Sequence, residues 1–435
     1  MIATWILLVV DFFAGSNFGS SVSNLSTQII KMYAHDKHVT TFDPDTSYIT
    51  SLLSVSVLIG SMVGSMSVTY LMERFGRKKV TIAASILGAV LNMLTMIPVH
   101  WIYLFAMRVL VGIPSAALTT TIPAWLSELA TNQQRGIVTV SFQLFICFGI
   151  ILSSLMLLVI GKNEAIWWVS FLTTTVFCVI SAVCCAFLPD SDSKSEDLDS
   201  EPKKKQAELP WSTLFVDKRF RKVIINAFIL GVAQQATGIN SVIIYATQTF
   251  QKAFSDDPND YYSPIYGSLL ISCVNFASTC VALPLIERLG RRWLWFGGFA
   301  IVIVGQALLI LCYATSNSTA LLITASVVLL FGFEIGPGPC FFVLCGETFP
   351  ECVRAKCSGL AFTMNWVVNI IVVMIFPFFK GKEWAAYTVY LCMVVIPVIV
   401  LWFTVPETKG KSLKEIEQVM IGQAAEVMGE TENLM

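Results

Sequence analysis

Arg74-Phe75-Gly76-Arg77-Lys78-Lys79 recurs 214 residues later as Arg288-Leu289-Gly290-Arg291-Arg292, and this recurrence decides how the chain is organised. Each copy closes a long apolar run with a short basic turn. Two further pairs keep nearly the same offset. Glu128 and Arg135 return as Glu347 and Arg354 after 219 residues, and Pro189-Asp190 returns as Pro406-Glu407 after 217. Three motif pairs at nearly one spacing imply a duplicated unit. Transporters built this way hold their substrate between the two copies.

A membrane-crossing helix needs roughly 20 mostly apolar residues. Twelve stretches qualify, at about 3–25, 48–72, 79–98, 102–126, 137–160, 165–188, 222–250, 264–286, 293–313, 319–344, 357–379 and 384–405. Composition agrees: of 435 residues, 55% are hydrophobic and 13% charged, whereas soluble domains carry about 25% charged residues. The expected fold is therefore an all-α integral membrane protein, with twelve transmembrane helices in two pseudo-symmetric six-helix bundles. Residues 1–189 form the first bundle, 190–221 a cytosolic linker, 222–406 the second bundle and 407–435 a cytosolic tail. The first apolar run has neither the basic lead nor the small-residue cleavage site of a signal peptide, so it reads as the first span.

With both termini placed in the cytosol, 21 Lys and Arg residues fall on the inner side and six outside, the asymmetry that the positive-inside rule describes. The net charge of −1 argues against a nucleic-acid partner, which would need a concentrated basic face. Twelve cysteines lie mostly in apolar runs, without paired metal-ligand spacing, and histidine is limited to His35, His38 and His100. The cysteines read as small buried hydrophobes, with Cys352 and Cys357 in an inner basic loop. No metal, cofactor, catalytic residue or obligate protein partner is expected.

Polar residues inside the spans carry the functional information: Gln143, Gln234, Gln235, Asn240, Asn275, Glu334, Asn365 and Asn369. An amide in hydrocarbon must face protein or a wet cavity. Each alone could simply join helices. Together they form a set rich in groups that both donate and accept, as the hydroxyls of a hexose do. Trp366 adds an aromatic face for the C–H surface of a sugar. Gly336-Pro337-Gly338-Pro339 interrupts a span, because proline lacks the N–H and clashes one turn back; the break is either a fixed kink or a hinge. Arg77, Glu128, Arg135, Arg291, Glu347 and Arg354 could pair at the inner helix ends. Such exposed pairs contribute about 0–1 kcal/mol each, so several breaking together tip an equilibrium without locking it. Arg108, within a span, needs a polar partner, and Asp11 is expected near the inner end of the first helix.

The chain resembles the sugar porter family of the major facilitator superfamily, especially the animal facilitative glucose transporters. The matching stretches are Gly60-Ser61-Met62-Val63-Gly64-Ser65 with Arg74 to Lys78, Arg108 to Gly112 leading to Pro123, Glu128 and Arg135-Gly136, Gln234-Gln235 with Gly238-Ile239-Asn240, Glu287-Arg288 with Gly290-Arg291-Arg292, Phe333-Glu334 with Gly336 to Pro339, Asn365-Trp366, and Pro406-Glu407-Thr408-Lys409-Gly410. The resemblance implies that Gln143, Gln234, Gln235, Asn240, Asn275, Glu334 and Asn365 contact sugar, with Trp366 beside them. It implies that Glu128, Arg135, Glu287, Arg291, Glu347 and Arg354 form a cytosolic gate. Phe342, also expected to meet substrate, stands where a tryptophan is common, and Gly231-Val232-Ala233 replaces the glucose-type Gln-Leu-Ser. Ser21 occupies the place where proton-coupled relatives carry an acid, which favours uniport of a hexose, most simply glucose, across the cell membrane. The alternatives are proton-coupled symport through Asp11 or Glu334, transport of fructose or a polyol, and a non-transporting sugar sensor.

Overall fold

The structure is a computed structural model and describes residues 2–23, 27–36, 47–129, 135–188, 209, 211–247, 249–250, 260–315 and 318–421. All regular secondary structure among the described residues is helical. The first half comprises α1 (Ile2–Ser23), α2 (Thr27–His35), α3 (Ser47–Phe75), α4 (Arg77–Thr95), α5 (Trp101–Leu129), α6 (Arg135–Ile160) and α7 (Val169–Ala186). The short α8 (Trp211–Val216) precedes the second half. That half comprises α9 (Arg221–Ala236), α10 (Ile239–Ile244), α11 (Tyr262–Leu289), α12 (Arg291–Thr315), α13 (Thr319–Ile335), α14 (Pro337–Glu347), α15 (Arg354–Phe378) and α16 (Glu383–Thr404), followed by α17 (Leu413–Ile421). Among the described residues twelve segments are long and apolar enough to cross a membrane. The seventh is split into α9 and α10, and the tenth into α13 and α14.

Within the first half α1 packs on α6 and α7, α3 on α5, and α4 on α5 and α7; within the second, α9 packs on α15 and α16, α12 on α13 and α16, and α11 on α13. Two seams join the halves, α3 against α15 and α6 against α11. Large apolar side chains such as Val159, Ile396 and Phe403 point outward, which suits a perimeter solvated by lipid chains. Cys273, Cys280 and Cys392 are on this exposed surface, so the reading of the cysteines as buried fails for these three. Cys352 and Cys357 are buried, in a 3-10 turn and in α15 rather than in an open loop.

The duplicated basic turns fold alike. Gly76 has φ 78° and ψ 162°, and Gly290 has φ 91° and ψ 161°, a left-handed-side backbone that glycine adopts without a Cβ clash. The following cation then reaches the end of the last helix in its own half. Lys78 donates from Nζ to the Leu188 carbonyl, and Arg292 donates to the carbonyls of Trp402 at 2.7 Å and Val405 at 3.0 Å. The repeat therefore fastens the same pair of helices twice.

Gly60 and Gly112 bring α3 and α5 into backbone contact. A Cβ on Gly60 would lie 1.8 Å from the Val109 oxygen, and one on Gly112 would lie 2.1 Å from the Val57 oxygen. Gly297, by contrast, has open space where its Cβ would stand. Gly60→Ala should therefore destabilise the protein by about 1–3 kcal/mol through overpacking, while Gly297→Ala leaves thermal unfolding in detergent nearly unchanged. Equal melting temperatures for the two variants would contradict this packing.

Candidate functional site

The two broken spans meet at the centre of the molecule. In the seventh, Gly238 turns left-handed at φ 71°, and the Thr237 carbonyl that the break releases accepts from Gln306 Nε2 at 3.0 Å. In the tenth, α13 ends at Ile335 and α14 restarts with Pro337 in its first turn. The Pro337 and Gly338 carbonyls accept from Gln234 Nε2 at 3.1 and 3.2 Å. Irregular backbone at membrane depth is tolerated where protein or a cavity satisfies it, and here an amide side chain from the seventh span bonds the first turn of the restarted helix. The Gly336–Pro339 stretch is thus a break in the helix.

From Gln234 a chain of amides runs outward. Asn365 Nδ2 donates to Gln234 Oε1, and Gln235 Nε2 to Asn365 Oδ1 at 3.1 Å. Asn240 Nδ2 donates to both Gln235 Oε1 and Asn369 Oδ1 at 2.9 Å. Across the gap, Glu334 accepts from Gln143 Nε2 at 3.2 and 3.1 Å and from Thr279 Oγ1 at 2.9 Å. These groups enclose a cavity of about 80 Å³. It is lined by Gln143, Gln234, Gln235, Asn240, Asn275, Glu334, Phe342, Asn365 and Trp366, all nine residues expected to meet substrate. The amides come mainly from the second half. The first half contributes Gln143 and Thr119 beside Phe18, Ile146 and Ile150.

In two of the lining side chains one polar atom has no partner among the described residues. Asn275 Oδ1 and Trp366 Nε1 are buried and unpaired, in side chains only 1% and 5% exposed. Leaving such a group unmet costs about 1–3 kcal/mol, so one acceptor and one donor wait for a solute or water. The Trp366 and Phe18 rings, one from each half, are in contact with centroids 5.3 Å apart, and Phe342 packs between Phe142 and Phe362. The wall is amide on one side and aromatic on the other.

At the inner end, Arg291 pairs with Glu287 at 3.1 Å and with Glu347 at 3.4 Å. Arg354 begins α15 and donates from Nε to the Phe349 carbonyl at 3.1 Å, and Arg77 begins α4. The side chains of Glu128 and Arg135 lie outside the described residues. Glu407 is a participant the sequence reading passed over, although its Pro-Glu-Thr motif was visible. Its carboxylate accepts from the backbone N–H groups of Arg291 and Arg292 at 3.0 and 3.1 Å and from those of Thr408 and Lys409 at 2.9 Å. It caps α12 from a distant segment, while Thr408 Oγ1 donates to Glu347 at 2.7 Å. In α17, burial holds the Glu417 carboxyl above its usual range, with Arg354 pulling it down.

Arg108 has the polar partners its position demands: Nη2 donates to the Ser21 carbonyl at 2.8 Å and Nε to Ser56 Oγ at 3.3 Å. Asp11 departs from expectation. It lies midway along α1 rather than at the inner rim, is fully buried, and accepts from Ser141 Oγ at 2.7 Å.

Two helical halves around a central uncharged-to-weakly acidic cavity define a membrane transporter of the major facilitator fold. The family profile described as sugar (and other) transporter matches residues 4–198 and 192–420, and the chain belongs to that family, as a multi-pass membrane protein that transports sugar rather than an enzyme. Solute carrier family 2, facilitated glucose transporter member 1 of Gallus gallus is 28% identical, with 85% of this chain and 82% of that protein covered. High-affinity glucose transporter ght2 of Schizosaccharomyces pombe is 26% identical over 96% of this chain and 87% of its own. Among solved structures, the proton:xylose symporter XylE bound to 6-bromo-6-deoxy-D-glucose superposes with TM-score 0.80 at 20% identity, covering 96% of this chain and 99% of that one. The inward-open conformation of XylE from E. coli gives 0.74 at 21% identity, covering 96% and 99%.

Removing the distant cap should loosen the inner end of α12. For Glu407→Ala the expected loss is about 0.5–2 kcal/mol, the usual range for a helix cap. Faster amide hydrogen exchange at Arg291 and Arg292 is the readout, and unchanged exchange there would refute the capping role.

Proposed function

We propose that the chain carries a hexose, glucose foremost, across the cell membrane by uniport through alternating access. The observation that carries this reading is the pair of unpartnered buried atoms, Asn275 Oδ1 and Trp366 Nε1, set in an amide wall. A hydroxyl can donate to the first and accept from the second. Among the described residues lining the cavity there is no Lys, Arg or His, and Glu334 is the one carboxylate, which suits a neutral polyol better than an ion. The glucose transporters among its relatives point the same way.

In this mechanism residues 1–189 and 222–406 rock against each other as two bodies, tethered by 190–221 and braced by the tail 407–435. Arg77, Glu128, Arg135, Glu287, Arg291, Glu347 and Arg354 form the cytosolic gate, and Gly336 to Pro339 form the hinge by which α14 closes on sugar. The amide chain from Gln234 to Asn369 satisfies itself, which keeps binding weak, since a ligand hydrogen bond to one of its members replaces one already present. A millimolar affinity, about −4 kcal/mol, lets the sugar leave on the far side.

Uniport is supported by Ser21 at the place of the coupling acid, where its backbone carbonyl rather than a carboxylate meets Arg108. The competing reading, proton symport, draws on Asp11 and Glu334, both buried carboxylates.

Purified protein in liposomes should exchange labelled glucose by counterflow without acidifying the lumen, and should discriminate against fructose, galactose or inositol. Sugar-driven acidification would replace uniport with symport. Gln234→Ala and Asn365→Ala should each weaken sugar binding by around 1–3 kcal/mol. Counterflow that is unaltered in both variants would remove them from the site.

A further inference from the structure

The helix α8 lies outside the twelve candidate spans, with only Asp217 between its end at Val216 and the start of the seventh span, Lys218–Ile244. Leu214 alone of its six residues is buried, and α8 packs on α9 and on the 3-10 turn Lys218–Phe220. Just upstream, the Leu209 N–H donates to the Cys352 carbonyl at 3.2 Å, so the helix has a fixed place at the inner end of the second half. Its other face is bare. Trp211, Phe215 and Val216 are 45%, 63% and 82% exposed. Trp211 and Phe215 stand one helical turn apart and stack with centroids 5.9 Å apart and planes at 18°, which makes one flat apolar plate. Beside the plate come Lys218, Arg219, Arg221 and Lys222. The first three are exposed, and Arg219 also pairs at 2.5 Å with Asp217, the one carboxylate between residues 211 and 222.

We infer that α8 is a peripheral membrane anchor: its aromatic plate sits at the headgroup boundary of the inner leaflet, and Lys218, Arg219 and Arg221 bind the headgroups of anionic lipids. An indole, apolar but carrying one N–H, is at home where hydrocarbon meets water. A short helix with bare aromatics on one face and cations beside them lies in that plane rather than across it. Cations at this depth draw acidic lipids to them. The level is right as well, because a span starts at Lys218 and α8 therefore stands where acyl chains give way to headgroups. The acidic stretch 190–201 has charge to offer the cations, but Leu198 is its single apolar residue, so it offers the plate almost nothing. Lipid supplies both chemistries at once.

The test uses the full chain in nanodiscs of phosphatidylcholine with a minor share of phosphatidylserine, one lipid or the other carrying bromine on its acyl chains close to the headgroup. Bromine quenches indole emission on contact, and the signal of native protein minus that of Trp211→Phe isolates one tryptophan of the eleven. Trp211 should be quenched by both lipids, and severalfold more per molecule by brominated phosphatidylserine. Lys218→Gln, Arg219→Gln and Arg221→Gln together should abolish that preference and keep the quenching itself. If the triple variant folds poorly, high salt on the native protein screens the same exposed charges and carries the same expectation. Quenching that is identical in native protein and Trp211→Phe puts the plate away from lipid, against the linker, a second copy or water, and overturns the anchor. Equal quenching per molecule by the two lipids in native protein overturns the role of the anionic headgroup. Counterflow in the same preparation reports separately on the transport reading, which neither result touches.

Discussion

A polar group in hydrocarbon has no water to turn to, so every amide, hydroxyl and carbonyl at membrane depth must find its partner within the protein. That constraint shapes the centre of this molecule. Gln234 is the pivotal case: one side chain donates to the Pro337 and Gly338 carbonyls in the first turn of α14 and also accepts from Asn365. The broken helix, the amide chain and the cavity are one structure held by one residue.

The two halves contribute unequally. The second brings the broken spans and most of the amides, while the first presents Gln143 and an apolar face of Phe18, Ile146 and Ile150. Contact between them at the centre depends on Gln143 reaching Glu334 and on the α6–α11 seam, where Ser154 Oγ and Ser272 Oγ are 3.0 Å apart. Such bonds are individually modest, about 0.5–1.5 kcal/mol each. They suit an interface that must open and reform. The inner end is built differently, with Glu407 gathering four backbone donors and Arg291 bridging Glu287 and Glu347.

Much of this was legible beforehand, and the reason differs by feature. Spans are visible because hydrophobic length is a one-dimensional property. The repeat is visible because Gly76 and Gly290 must both adopt positive φ and so persist as letters. The in-span amides are conspicuous because lipid makes them expensive. What stayed hidden depends on contacts far apart in sequence. Glu407 caps a helix that begins over a hundred residues earlier, and Thr279 looks like any apolar-run threonine until Glu334 is placed beside it. One partner of Arg354, the Phe349 backbone carbonyl, leaves no sequence signature.

The centre of the account is a sugar held against Trp366 between the halves. Intrinsic fluorescence of the native protein, compared with Trp366→Phe, tests this most directly. Saturating glucose should shift or quench the native emission and leave the variant's emission unchanged. Native emission that ignores glucose while the same preparation transports it would contradict the central claim.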